Sequence, residues 1–233
     1  MLPFARVEVG MPSRRRCRLC DPAAPSFVWR SPADLAAELR EIVAEWTAPV
    51  GPSVMLAGAE PFLHPELPTI VASARNEGFE RIGIETDGVA LDVEQNVRGS
   101  LGAGVRHVRV TLFGVGPVGD RLAGRSGACD ASLAGIRRFV RAADAAGMPV
   151  AVAAVVPVCR HNADQAHLVV AAAAQAGAGH VRLEAAGDPI AGIEAVLAAA
   201  CDTGTVNRVW VEVAGLEVPE SHAVHRVREG GGA

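Results

Sequence analysis

Residues 53–65 read SVMLAGAEPFLHP, a short apolar run that breaks into a Gly-Ala-Glu-Pro turn. Five residues bounded by turn formers predict a buried strand over 53–57 rather than a helix. A helical pattern over 66–77 follows and stops at Gly78, where a left-handed cap is wanted. The next run, RIGIET at 81–86, predicts a second strand. The same strand–loop–helix unit recurs in both directions along the chain. Further strands are expected at 5–9, 106–112, 149–157, 179–184 and 207–213, and further helices at 32–46, 93–102, 130–146, 162–176 and 189–201. Helix 32–46 opens on Ser31 and Pro32, a good start signal. Its apolar positions Leu35, Leu39, Ile42, Val43 and Trp46 give it one face to bury. Alternation at this spacing argues for parallel strands joined by right-handed crossovers, hence one α/β domain of about six units. The domain is expected over 1–215, with 216–233 as a tail.

Composition sets the outer limits. The chain has 233 residues, half of them hydrophobic, so it can bury a sizeable core. A net charge of -4 gives no electrostatic case for nucleic acid. No apolar run reaches the ~20 residues of a membrane span. The N-terminus carries no signal-like apolar stretch, so a cytoplasmic protein with reduced thiols is expected. The five cysteines are then ligands, catalytic or buried residues rather than a disulfide framework. Trp29, Trp46 and Trp210 are expected in the core.

In parallel α/β proteins the chemistry gathers at the C-terminal ends of the strands. Those ends here carry MPSRRRCRLC (11–20), AGAEPFLHP (57–65), ETDG (85–88), TLFG (111–114), PVCRHN (157–162) and EAAGDP (184–189). Cys17-Arg18-Leu19-Cys20 alone fits half a zinc site, a redox pair or neither. Zinc would need two more ligands, and no second CxxC or well-spaced His pair follows.

Taken in order, these motifs resemble the radical S-adenosylmethionine (SAM) superfamily. Its members carry CxxxCxxC after the first strand, GGEP after the second, often TNG after the third, and an HDxLxGxxG-like loop after the fourth. Asp120, Leu122, Gly124 and Gly127 match the last of these in register. The resemblance implies a partial (β/α)6 TIM-like barrel. It also implies a 4Fe–4S cluster held by three thiolates, and SAM bound at the open iron. By the same resemblance, Gly58, Ala59, Glu60 and Pro61 lie against the SAM amino group, with Glu60 fixing the loop and glycine allowing close approach. Thr86 and Asp87 follow in the TNG-like segment. Thr111 faces the SAM ribose or carboxylate, and Arg125 is a carboxylate partner.

The chain departs from that pattern where the ligands should be. The first cysteine of CxxxCxxC is Ser13, which leaves Cys17 and Cys20 as the two expected thiolates. A serine hydroxyl is a hard, weakly acidic and poor iron ligand. Cys159, at the end of the fifth strand, is the other thiol placed on the same rim. The second Gly of GGEP is Ala59, the position after Pro61 is Phe62, and the Asn of TNG is Asp87. Two readings follow. One is a degenerate member with an impaired cluster and SAM site, acting as an accessory or substrate-binding partner of an active enzyme, with a protein, peptide or small molecule as its own partner. The other is an active enzyme with a non-standard third ligand or cluster-free use of SAM.

Overall fold

The computed structural model describes residues 3–11, 28–58, 60–187 and 190–214. Strand β1 (Ala5–Glu8) is followed by a two-residue β2 (Gly10–Met11), which pairs antiparallel with β3 (Val28–Trp29). Next come α1 (Pro32–Ala44), β4 (Ser53–Ala57), α2 (Leu67–Asn76), β5 (Arg81–Thr86), α3 (Glu94–Ala103) and β6 (Val105–Thr111). The chain continues through α4 (Gly116–Ala123), α5 (Ala128–Ala145), β7 (Ala151–Val158), α6 (Ala166–Ala176), β8 (His180–Ala185), α7 (Ile193–Val206) and β9 (Trp210–Ala214).

Seven strands form one sheet in the order β1-β4-β5-β6-β7-β8-β9, and every pair is parallel. All seven strands expected from the sequence are present. Among the described residues β1 and β9 do not pair, so the sheet is a barrel left open at one side. Helices touch in sequence order, α1 to α2, α2 to α3, α3 to α5, α5 to α6 and α6 to α7, forming a shell over one face. The other face of the sheet turns inward.

Local signals explain the elements. Ser31 caps α1 by accepting from the Asp34 amide at 3.1 Å, and Pro32 occupies the first turn. Leu35 and Leu39 bury the helix against the sheet, while Trp46 lies beyond its end and donates to the Val50 carbonyl. Along β7 burial alternates: Val152, Ala154, Val156 and Val158 face the shell, and Ala151, Ala153, Val155 and Pro157 face inward. Two expectations need correction. Trp210 is 52% exposed, because it starts an edge strand rather than entering the core. Residues 116–123, expected as loop, form α4, since Gly119 lets the helix backbone close onto Gly114, where a Cβ would sit 2.7 Å from the Gly114 carbonyl oxygen.

Helix α5 docks on the turn after β5 through its own glycine. A Cβ on Gly135 would sit 2.1 Å from the Gly88 carbonyl oxygen, and Ser132 donates to the Asp87 carbonyl at 2.5 Å. In an exposed helix Gly→Ala stabilises by about 1 kcal/mol. Here overpacking opposes that gain and costs about 1–3 kcal/mol. Gly135→Ala is therefore expected to lower the urea midpoint, despite the better helix former.

Candidate functional site at the C-terminal rim

Glu60 organises the rim. It follows β4, is 6% exposed, and caps the short 3-10 turn Pro61–Leu63. One carboxylate oxygen accepts from the Thr86 hydroxyl at 2.8 Å, and the other from the Asp87 amide at 2.9 Å. Thr86, 1% exposed, in turn accepts from the Gly88 amide at 3.0 Å. Asp87 accepts from the Val89 amide through Oδ1. The loops after β4 and β5 are thus tied by charge-assisted bonds between residues 26 and 27 positions apart.

Gly58 has φ +74°, and a Cβ there would lie 2.7 Å from the Gly10 carbonyl oxygen. The chain's own turn and its contact with the start of β2 already require glycine there. Pro61 is buried in the turn that Glu60 caps. Ala59, Ser13, Cys17 and Cys20 lie outside the described residues.

A second support holds the β2–β3 ladder, whose strands flank 12–27 in sequence. His64 is 4% exposed, accepts from the Glu66 amide at Nδ1, and pairs its Nε2 with the Arg30 carbonyl at 3.0 Å. The Nδ1 contact makes Nε2 the protonated nitrogen. Its ring lies 4.7 Å from that of Trp29, and Arg30 donates to the Glu8 carbonyl and pairs with Glu38. The sequence shows His64 only as part of FLHP, with no separate signal of this role.

The loop after β6 is fastened from three sides. Asn162 donates to the Phe113 and Pro157 carbonyls, both at 2.8 Å, and accepts from the Cys159 amide at 2.7 Å. Gln165 accepts from the Val115 amide, and the Cys129 thiol donates to the Gly114 carbonyl at 3.1 Å. Burial pushes the Cys129 thiol up from its ordinary range, which keeps it a neutral donor. Thr111 sits half-buried at the end of β6, facing inward, and its hydroxyl meets no partner among the described residues. Cys159 is 5% exposed at the end of β7, on the rim, as the sequence implies. No group of three or more His, Cys, Asp or Glu suited to a metal occurs among the described residues.

Asp120 explains the HDxLxGxxG-like segment. Its carboxylate accepts from the Gly127 amide at 2.7 Å and the Cys129 amide at 3.1 Å, capping α5 from the preceding helix. Those backbone amides, Cys129 first, hold its carboxyl below the ordinary range. Arg125 is exposed on the loop so defined, and its amide bonds to the Asp120 carbonyl. Loss of an N-cap costs about 1 kcal/mol, so Asp120→Ala is expected to destabilise by about that much near neutral pH. A depressed folded pKa contributes stability above the unfolded value of about 3.9 and loses it as pH falls through the folded value. The gap between wild type and Asp120→Ala should therefore close in acid unfolding below about pH 4. A gap unchanged at pH 2 would contradict the capping role.

The rim, the open parallel barrel and the loop ties define a class: a partial α/β barrel whose loops at the C-terminal ends of the strands are tied together. Residues 14–207 match the Radical SAM superfamily, and the chain belongs to it. Members of that superfamily bind SAM and a 4Fe–4S cluster. Over 161 residues the chain is 33% identical to the PqqA peptide cyclase of Xanthomonas campestris pv. campestris, covering 66% of this chain and 37% of the relative. It is 28% identical over 149 residues to GTP 3',8-cyclase 1 of Mycobacterium tuberculosis, covering 61% of this chain and 41% of that protein. Streptococcus suis SuiB bound to its precursor peptide SuiA shares the fold, with a TM-score of 0.67 at 13% identity over 93% of this chain and 48% of SuiB. The chain thus spans well under half the length of the curated relatives it matches.

In sequence, Cys17 and Cys20 are spaced as the last two thiolates of the family pattern and Ser13 stands at the spacing of the first; a hydroxyl is a harder donor than the thiolates that iron–sulfur clusters select. Glu60 and Thr86 hydrogen-bond to the loops themselves and so shape the rim, and Thr111 stands at the end of β6.

Proposed function

We propose that this chain is a degenerate radical SAM protein that binds a peptide as an accessory or substrate-binding partner of an active enzyme. Ser13 carries the reading: three thiolates would hold three irons and leave the fourth open for SAM, and with Ser13 in place of the first cysteine one of those three holding ligands is lost. Peptide as the substrate class rests on the 33% identity to a peptide cyclase. Thr111 and Arg125 are the side chains that would take the polar end of SAM, and the Gly58–Pro61 segment and Asp87 would line it. Glu60 and Thr86 would hold those loops in place. Among the described residues no helix is long and apolar enough to cross a membrane, and a cytoplasmic location is part of this reading. Residues 1–215 would form the working domain, with 216–233 as its tail.

One observation favours the second reading, an active enzyme. The Glu60–Thr86–Asp87 ties are intact, and the buried Cys159 sits on the same rim as a possible third ligand. Anaerobic reconstitution with iron and sulfide separates the two. Substoichiometric, labile iron and no 5'-deoxyadenosine support the accessory role. A full 4Fe–4S signal with 5'-deoxyadenosine formation supports the enzyme.

A further inference from the structure

The helical shell carries a groove between α3 and α5, with a volume of about 810 Å³. Val97, Leu101 and Met148 form an apolar floor that is continuous with the core. Around that floor stand four arginines, Arg98, Arg137, Arg138 and Arg141, against two carboxylates, Asp92 and Glu94. The groove is therefore cationic on a chain whose net charge is -4.

Two features of these helices cost stability without serving the fold. Arg98 pairs with Glu94 at 2.8 Å and Arg138 with Asp92 at 3.0 Å, which leaves Arg137 and Arg141 without a carboxylate partner among the described residues. Both are exposed and stand one turn apart on α5, where like charges oppose the helix. The second feature is Gly102. It lies within α3 without a positive φ, and a Cβ there would meet nothing within 4 Å. Neither backbone conformation nor packing requires glycine at this position, and glycine weakens a helix. Its effect is to leave the α3 wall of the groove low.

We propose that this groove docks an acidic, amphipathic helix of a partner protein. The inference goes beyond the reading above and does not rest on it, since the groove would serve an accessory protein or an enzyme equally. The floor takes the apolar ridge of the incoming helix, and Arg137 and Arg141 meet carboxylates spaced one turn apart on its flank. Met148, unbranched and adaptable, fits the floor to the ridge it receives. Ala134 to Ala145 runs about 16 Å along α5, enough to seat about three turns of helix. A nucleic acid fits less well. Among the described residues no aromatic side chain lines the groove for a base to stack on, and an apolar floor adds nothing to phosphate binding.

The test uses the full chain and a fluorescein-labelled helical peptide of about 15 residues, with leucines along one face and glutamates flanking them, followed by anisotropy. Saturable binding is expected, and none with the peptide in which lysine replaces glutamate. Replacing its leucines with alanine should weaken binding about tenfold or more. The paired substitution Arg137→Ala and Arg141→Ala should do the same, while its melting temperature holds or rises as the like charges go. Arg137→Glu with Arg141→Glu should reverse the preference and take the lysine peptide over the glutamate one. Gly102→Trp fills the groove from α3 and should also weaken binding, whereas Arg121→Ala, exposed on α4, should not. No saturable binding, equal binding to the alanine pair, indifference to the leucines, or tighter binding of a single-stranded RNA of the same length would overturn the proposal. So would wild-type self-association that is lost in the alanine pair, which would make a second copy of this chain the occupant.

Discussion

Glu60→Ala is expected to lose about 3 kcal/mol of stability and with it the shape of the rim. The carboxylate joins the loops after β4 and β5 through the Thr86 hydroxyl and the Asp87 amide. Its removal leaves the Thr86 hydroxyl, on a residue 1% exposed, and the Asp87 amide without that acceptor. An unsatisfied buried donor costs about 1–3 kcal/mol. For a domain of this size the expected fall in melting temperature is about 6–12 °C. Glu60→Gln separates charge from shape. Its amide oxygen can accept from the Asp87 amide while its NH2 donates to the Thr86 hydroxyl, which has two lone pairs, so both ties can be kept without the charge. It should therefore recover more than half of the loss. Thr86→Val removes one donor and leaves the Asp87 bond in place, so it should cost less than Glu60→Ala. A Glu60→Ala protein that melts with wild type and binds SAM equally would show that other contacts hold these loops.

The sheet was legible because each inner strand is bracketed by its own turn signals, and a parallel strand must be followed by a crossover. SVMLA and RIGIET could be placed within a residue for that reason. Helix α4 was not legible: Gly116, Pro117 and Gly119 argue for loop, and only the tertiary contact of Gly119 with Gly114 shows why glycine belongs inside that helix. The two-residue β2 and β3 carry too little sequence to show a pattern. Glu60 was legible as a loop-fixing residue through the resemblance of its Gly-Ala-Glu-Pro segment to the family motif, while its partners Thr86 and Asp87 come from the structure. The partners Asn162, Gln165 and Cys129 were not legible as ties, because their targets are backbone groups of a loop some 15 to 50 positions away.

Ser13→Cys is expected to convert a poorly loaded protein into one that holds a full cluster. Wild type, reconstituted anaerobically, should retain iron below one cluster per chain and lose it to a mild chelator. The substitution changes one atom and restores the third thiolate at the spacing that Cys17 and Cys20 already set. Thiolate is the soft donor that iron–sulfur clusters select, so occupancy should rise severalfold toward four irons per chain. Iron content and 5'-deoxyadenosine under a strong reductant then separate three cases. Cluster with SAM cleavage identifies position 13 as the main lesion and the Glu60-tied rim as sound. Cluster without cleavage places a second lesion at the SAM site, where Ala59 and Phe62 replace smaller residues of the family pattern. A wild-type protein that already holds a full cluster and cleaves SAM overturns the accessory role. Cys159→Ala then decides the third ligand: lost iron assigns it to the thiol at the end of β7, and unchanged iron assigns it to the Ser13 alkoxide, a harder donor expected to lower the cluster potential.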